Sequence, residues 1–166
     1  MRRLILSLLM AGTYATSAAA ADCVPSTQQK AIEVIGLKSS LMVGALACGQ
    51  RPQYDQFMTR FQPHILAEQH VMDSYFRKLH GRLGQTNEDA YVTNLANSQS
   101  EVGITQGVVF CQNTAAVFNR VAALTTQDQL DQFAEAEPAP QPVVIVACGI
   151  TESSSFARMA ELAPRP

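Results

Sequence analysis

Four cysteines, Cys23, Cys48, Cys111 and Cys148, stand behind a leader-like N-terminus, and together they limit what this chain can fold into. Arg2 and Arg3 open a short basic region, an apolar run covers residues 4–10, and small residues fill 16–21. Ala19 and Ala21, or Ala18 and Ala20, supply the small side chains that a signal peptidase accepts. The apolar run falls well short of the roughly 20 residues needed to span a bilayer. Asp22, rather than a small residue, precedes Cys23, so a lipidated cysteine is not expected. Residues 1–21 therefore read as a signal peptide, and the location as the periplasm or outside the cell, with no transmembrane segment after cleavage.

Residues 22–166 then form a single domain, long enough for one hydrophobic core. The 12 basic and 14 acidic residues of the whole chain become ten and fourteen once Arg2 and Arg3 leave, a formal charge of −4. A nucleic-acid partner needs a basic face, and none is visible. Arg77, Lys78 and Arg82 sit at the end of a predicted helix, where cations meet the helix dipole favourably.

Helical periodicity dominates. Pro25 and a Ser26/Gln29 capping box open a first helix, and Val34, Leu37, Leu41, Ala45 and Cys48 mark its inner face before Gly49 ends it. Glu33, Lys38, Ser39 and Ser40 interrupt its apolar surface, which argues against a membrane span. Pro52 opens a second helix with Tyr54, Phe57, Met58 and Phe61 inward. Pro63 is expected to break or kink it before Ile65, Met72, Phe76 and Leu79 carry it to Gly81. A Thr86/Asp89 box starts a third helix that reaches as far as Leu124, with a kink at Gly103 or Gly107. Thr126 with Gln129 caps a short fourth. Residues 135–142 are an acidic, proline-rich linker. Residues 143–147 form a short strand or an extended segment that should be covered, and Ser153 or Ser154 starts a last helical turn. The fold class is mainly α: a disulfide-stapled bundle of three to four helices with an extended C-terminal segment.

In an oxidising compartment the four cysteines form two disulfides. Cys23 and Cys48 flank the first helix and lie more than about 30 Å apart, whereas a disulfide needs Cα atoms within about 7 Å. That pairing is excluded. An up–down–up arrangement sets the end of helix one beside the far part of helix three, which favours Cys48–Cys111 with Cys23–Cys148. Small residues agree with close helix contact: Gly36, Ser40 and Gly44 on helix one, and Ala96, Ser100, Gly103 and Gly107 on helix three.

Chemistry is harder to place. His64 and Glu68 are one turn apart, as a metal or general-base pair would be, and His70 with Asp73 form a second same-face pair. The two pairs diverge by about 240° around the helix axis, and no pattern marks ligands on other helices. Neither H-E-x-x-H nor a G-x-S-x-G elbow is present, no C-x-x-C pair exists, and no glycine-rich phosphate loop appears. Serines 153–155 have no histidine nearby in sequence. No catalytic, cofactor-binding or metal-ligating residue is assigned on these grounds, and no cofactor is expected. Residues 91–100 are rich in amides and hydroxyls; they either line a ligand groove, receive a partner's backbone, or bond to the extended 143–147 segment.

Between residues 46 and 112 the pattern Cys-Gly-Gln-Arg-Pro-Gln-Tyr-Asp-Gln-Phe, then Tyr-Phe-Arg-Lys, Leu-Ala-Asn-Ser-Gln-Ser and Phe-Cys resembles small exported four-cysteine proteins of proteobacteria that have no assigned activity. The likeness covers under half of the chain and supplies no catalytic residue. Leu124-Thr125-Thr126-Gln127-Asp128 resembles the Leu-Thr-x-x-Gln helix opening of periplasmic stress chaperones of the Spy type, departing from it at Asp128. The expected function is non-enzymatic binding in the periplasm, as an accessory or assembly factor whose partner is another envelope protein. A chaperone-like protein is the alternative, and a metal-binding enzyme the more distant one.

Overall fold

Apolar residues recur so densely between positions 31 and 37 that the helix carrying them has no side to turn to water. α1 (Ser26–Cys48) buries Ala31 to Leu37 without interruption and continues inward through Leu41 and Ala45. In the computed structural model, which describes residues 23–148, this helix is the axis of the bundle. Against it lie α2 (Arg51–His80), α3 (Gly84–Gln106), α4 (Val108–Ala122) and α5 (Gln127–Ala136). By length and mean hydropathy α1 resembles a membrane span, but two-thirds of its most apolar window is buried inside the protein (67%). A helix packed on several sides needs the same composition. The predicted signal peptide and the turn predicted near Ser153 lie outside the described residues.

The core runs through Val34 and Leu41 of α1, Ile65 and Met72 of α2, Leu95 of α3, Val121 of α4 and Leu130 of α5, all essentially closed to solvent. Both favoured disulfides are present, Cys23–Cys148 with Cα atoms 4.9 Å apart and Cys48–Cys111 with Cα atoms 5.5 Å apart. The bundle is thus stapled near the start of α1 and again at its end.

Several local expectations change. α2 does not break at Pro63; it runs continuously from Arg51 to His80. Phe57, Phe61 and Ile65 bury on both sides of the proline. Packing of that face outweighs the one hydrogen bond that proline removes. The Ser26/Gln29 capping box does not form: Pro25 is the N-cap, and the Gln29 side chain donates instead to Glu33 Oε1 at 2.8 Å. Thr86 is no cap either, because a 3₁₀ turn at Gly81–Leu83 leads straight into α3 at Gly84. A Cβ on Gly84 would come 2.6 Å from the Arg77 Cα, so this reversal requires glycine. The Thr126/Gln129 box, by contrast, is complete.

The long third helix is two helices. Gly107, with φ 56° and ψ −124°, ends α3 and starts α4 in a conformation closed to other residues. Gly103 stays helical, with the Phe110 ring against it.

After α5 the chain returns along the bundle as a strap. Gln99 Nε2 donates to Pro140 O and to Gly36 O, and the Tyr91 hydroxyl lies 2.5 Å from Gln141 Oε1. The amide-rich face of α3 therefore holds residues 140 and 141 of the linker rather than the 143–147 run. That run makes a single parallel bridge, Ala147 with Val24, and is covered on one side only: Ile145 and Ala147 pack inward, while Val143, Val144 and Val146 stay exposed, Val144 at 90%. Gly44 accommodates Thr114 of α4, and Gly36 the strap at Ala139 and Gln141. The small residues of helix one thus serve partners other than a glycine row on α3.

Candidate functional site

Among the departures from the ordinary rule of charges outside and apolar groups inside, two shape the candidate site. The first is a cluster at the junction of α1, α2 and α5. His64 and Glu68, one turn apart on α2, are both buried. Each faces the first turns of α5, whose Leu130 and Ala134 anchor the helix and set Asp131 beside them. His64 Nε2 lies 2.5 Å from Asp131 Oδ1 and 3.8 Å from Glu68 Oε1. Lys30 of α1 completes the cluster, its Nζ 3.2 Å from Asp131 Oδ2 and 3.3 Å from Glu68 Oε1. The Asp131 carboxylate holds the Lys30 ammonium above the usual lysine range; burial opposes it, and Glu68 adds a smaller rise. Glu68 Oε2 is buried without a hydrogen-bond partner. Two carboxylates, an imidazole and an ammonium can bind and exchange cations or protons.

His70 and Asp73 do not join this group. His70 is exposed, and Asp73 pairs with Arg77 Nε at 2.9 Å while facing the buried Glu88. The divergence expected from helix rotation is what the structure shows. Asp131 and Lys30 went unmarked because each borders an apolar stripe by one position. Their signal is a charged residue adjoining buried ones, Lys30 before Ala31 and Asp131 after Leu130.

The second place is the corner between α3 and α4. The turn at Gly107 projects Ile104 (77% exposed), Val108 (76%) and Val109 outward, and Leu46 near the end of α1 is exposed beside them. Val43, Leu46, Gly103, Ile104 and Phe110 line a groove of about 530 Å³ there, floored by Cys111. The Cys48–Cys111 disulfide ties its two walls together. Residues 39–50 and 102–119, the two segments joined by that disulfide, contain no Asp, Glu, Lys, Arg or His. This charge-free pairing is the sequence signal that would have located the corner. Exposed apolar surface of this kind is characteristic of a contact face.

No protein-family model matches the chain, and neither a curated protein nor a solved structure matches it. The two disulfides are compatible with an exported protein.

Proposed function

We propose that the protein acts by binding in the periplasm, as an accessory or assembly factor that docks another envelope protein on the α3–α4 corner. The observation that carries this reading is the exposed apolar set Leu46, Ile104, Val108 and Val109 around a groove without ionisable side chains. Interface centres are depleted of charge and take up apolar anchors, while their rims are polar. Exposed Thr105, Gln106 and Gln112 flank the corner in sequence. A groove of about 530 Å³ suits a few anchoring side chains of a folded partner better than a long unfolded segment.

The test is gentle extraction of the tagged protein from its native envelope, alongside an Ile104→Glu variant. A partner in one-to-one ratio with the wild type and lost with Ile104→Glu supports the reading. Isolation of the wild type alone, or a partner retained by the variant, overturns it. Suppression of client aggregation that disappears with Ile104→Glu would favour the chaperone-like alternative.

A further inference from the structure

The junction of α1, α2 and α5 has the donors of a metal centre. We propose that His64 Nε2 and one carboxylate oxygen each from Glu68 and Asp131 bind a first-row divalent cation of the zinc type, in competition with the Lys30 ammonium. The three donor atoms already lie within 4.8 Å of one another. Ligands of a tetrahedral zinc sit about 3.4 Å apart at bond lengths of about 2.1 Å. The observed separations fall on either side of that spacing, 2.5 Å from His64 to Asp131 and 3.8 Å from His64 to Glu68. With no separation above 4.8 Å, side-chain adjustments of about 1 to 1.5 Å suffice to reach the tetrahedral spacing, and α2 supplies two donors from a single rigid element.

Charge points the same way. Two carboxylates at the junction face the single ammonium of Lys30. A dication in place of Lys30 would neutralise both carboxylates with the imidazole in its neutral, metal-binding form. Glu68 adds an independent sign: its side chain is only 7% exposed, yet Oε2 has no hydrogen-bond partner. A buried polar atom without a partner carries a desolvation cost, which would be relieved where Glu68 turns Oε2 rather than Oε1 to the metal. Lys30 can make way, since its side chain is 41% exposed and its flexible stem reaches water. A mixed imidazole and carboxylate set suits zinc and its neighbours better than magnesium or calcium, which prefer oxygen alone.

The experiment is a titration of the oxidised protein with zinc chloride against a chromophoric chelator at neutral pH, with imidazole ¹⁵N spectra of the wild type recorded in parallel. One zinc per chain is expected, with the His64 Nε2 resonance shifting while those of His70 and His80 hold still. His64→Gln and Asp131→Asn should each weaken binding by about 10-fold or more, the scale on which even supporting groups act. Lys30→Ala should tighten it, because the internal competitor is gone. A surface site would not respond in that direction. The proposal fails if no stoichiometric binding occurs, if the shift falls on His70 or His80, or if Lys30→Ala weakens the metal. The ¹⁵N spectra and Lys30→Ala decide the matter even where loss of Asp131 loosens the fold.

Discussion

The junction of α1, α2 and α5 and the corner of α3 and α4 treat polarity in opposite ways. At the junction, Lys30, His64, Glu68 and Asp131 meet between helices, and α5 is held in part by their mutual attraction. At the corner, Leu46, Ile104, Val108 and Val109 face outward, and a disulfide ties the walls together. Buried charges are tolerable only in company, so each member of the junction depends on the others. Exposed apolar side chains contribute little to folding until something covers them, so the corner needs a covalent tie to keep its shape. One region gathers its charged side chains between helices, and the other leaves its apolar side chains uncovered among the described residues.

The largest effect separates the two forms of support. Replacing Cys48 and Cys111 together by serine opens a loop closed across 63 residues, a loss of about 4 kcal/mol by the chain-entropy relation. Urea denaturation should show it as a lowered midpoint, and binding by the corner should weaken with it. Asp131→Ala tests the junction. It removes the close partner of His64 and one of the two carboxylates that hold Lys30, and should cost about 3 kcal/mol, short of the full loss for a deeply buried pair because Lys30 keeps Glu68 and reaches solvent. The expected signature is faster amide exchange in α5, with the α3–α4 turn unaffected.

A third change probes how tightly the corner is mounted on the axis. A Cβ at Gly44 would sit 2.5 Å from Thr114 Cγ2, so Gly44→Ala should force α4 away from α1 and cost about 2 kcal/mol in thermal unfolding. Ile104→Glu should move stability by no more than about 0.5 kcal/mol, since the side chain it replaces touches mostly water. The smallest effect concerns a buried carboxyl outside both regions. Burial first, and the nearby Asp73 carboxylate next, raise the Glu88 carboxyl above its ordinary value of 4.5. The folded form then holds the proton more tightly than the unfolded one. This contribution is complete below about 4.5 and is lost as pH rises through the folded value. Glu88→Gln should flatten the fall in melting temperature above that pH and raise it at pH 7.

Much of the architecture was legible because single constraints were severe. The length of α1 alone separates Cys23 from Cys48 and leaves few ways to close two disulfides. Asymmetric periodicity located α2 and α5, and the Thr126/Gln129 box held because nothing competes with it at an exposed helix start. Where tertiary contacts outweigh local preference, the reading slipped: Pro63 sits inside a helix fixed by Phe57, Phe61 and Ile65, and Gly84 turns against Arg77 before Thr86 can act as a cap. The candidate site was half visible. His64 and Glu68 share a helix, so their spacing shows in sequence, but Asp131 is 67 residues beyond His64, and only packing brings them together.

The comparison is tested most directly by measuring partner recovery and melting temperature side by side for Ile104→Glu and Asp131→Asn in the native envelope. The account predicts that Ile104→Glu loses the partner at unchanged melting temperature, while Asp131→Asn melts earlier and still recovers the partner at growth temperature. Retention of the partner by Ile104→Glu, or its loss from a folded Asp131→Asn protein, would contradict the division between a docking corner and a stabilising junction.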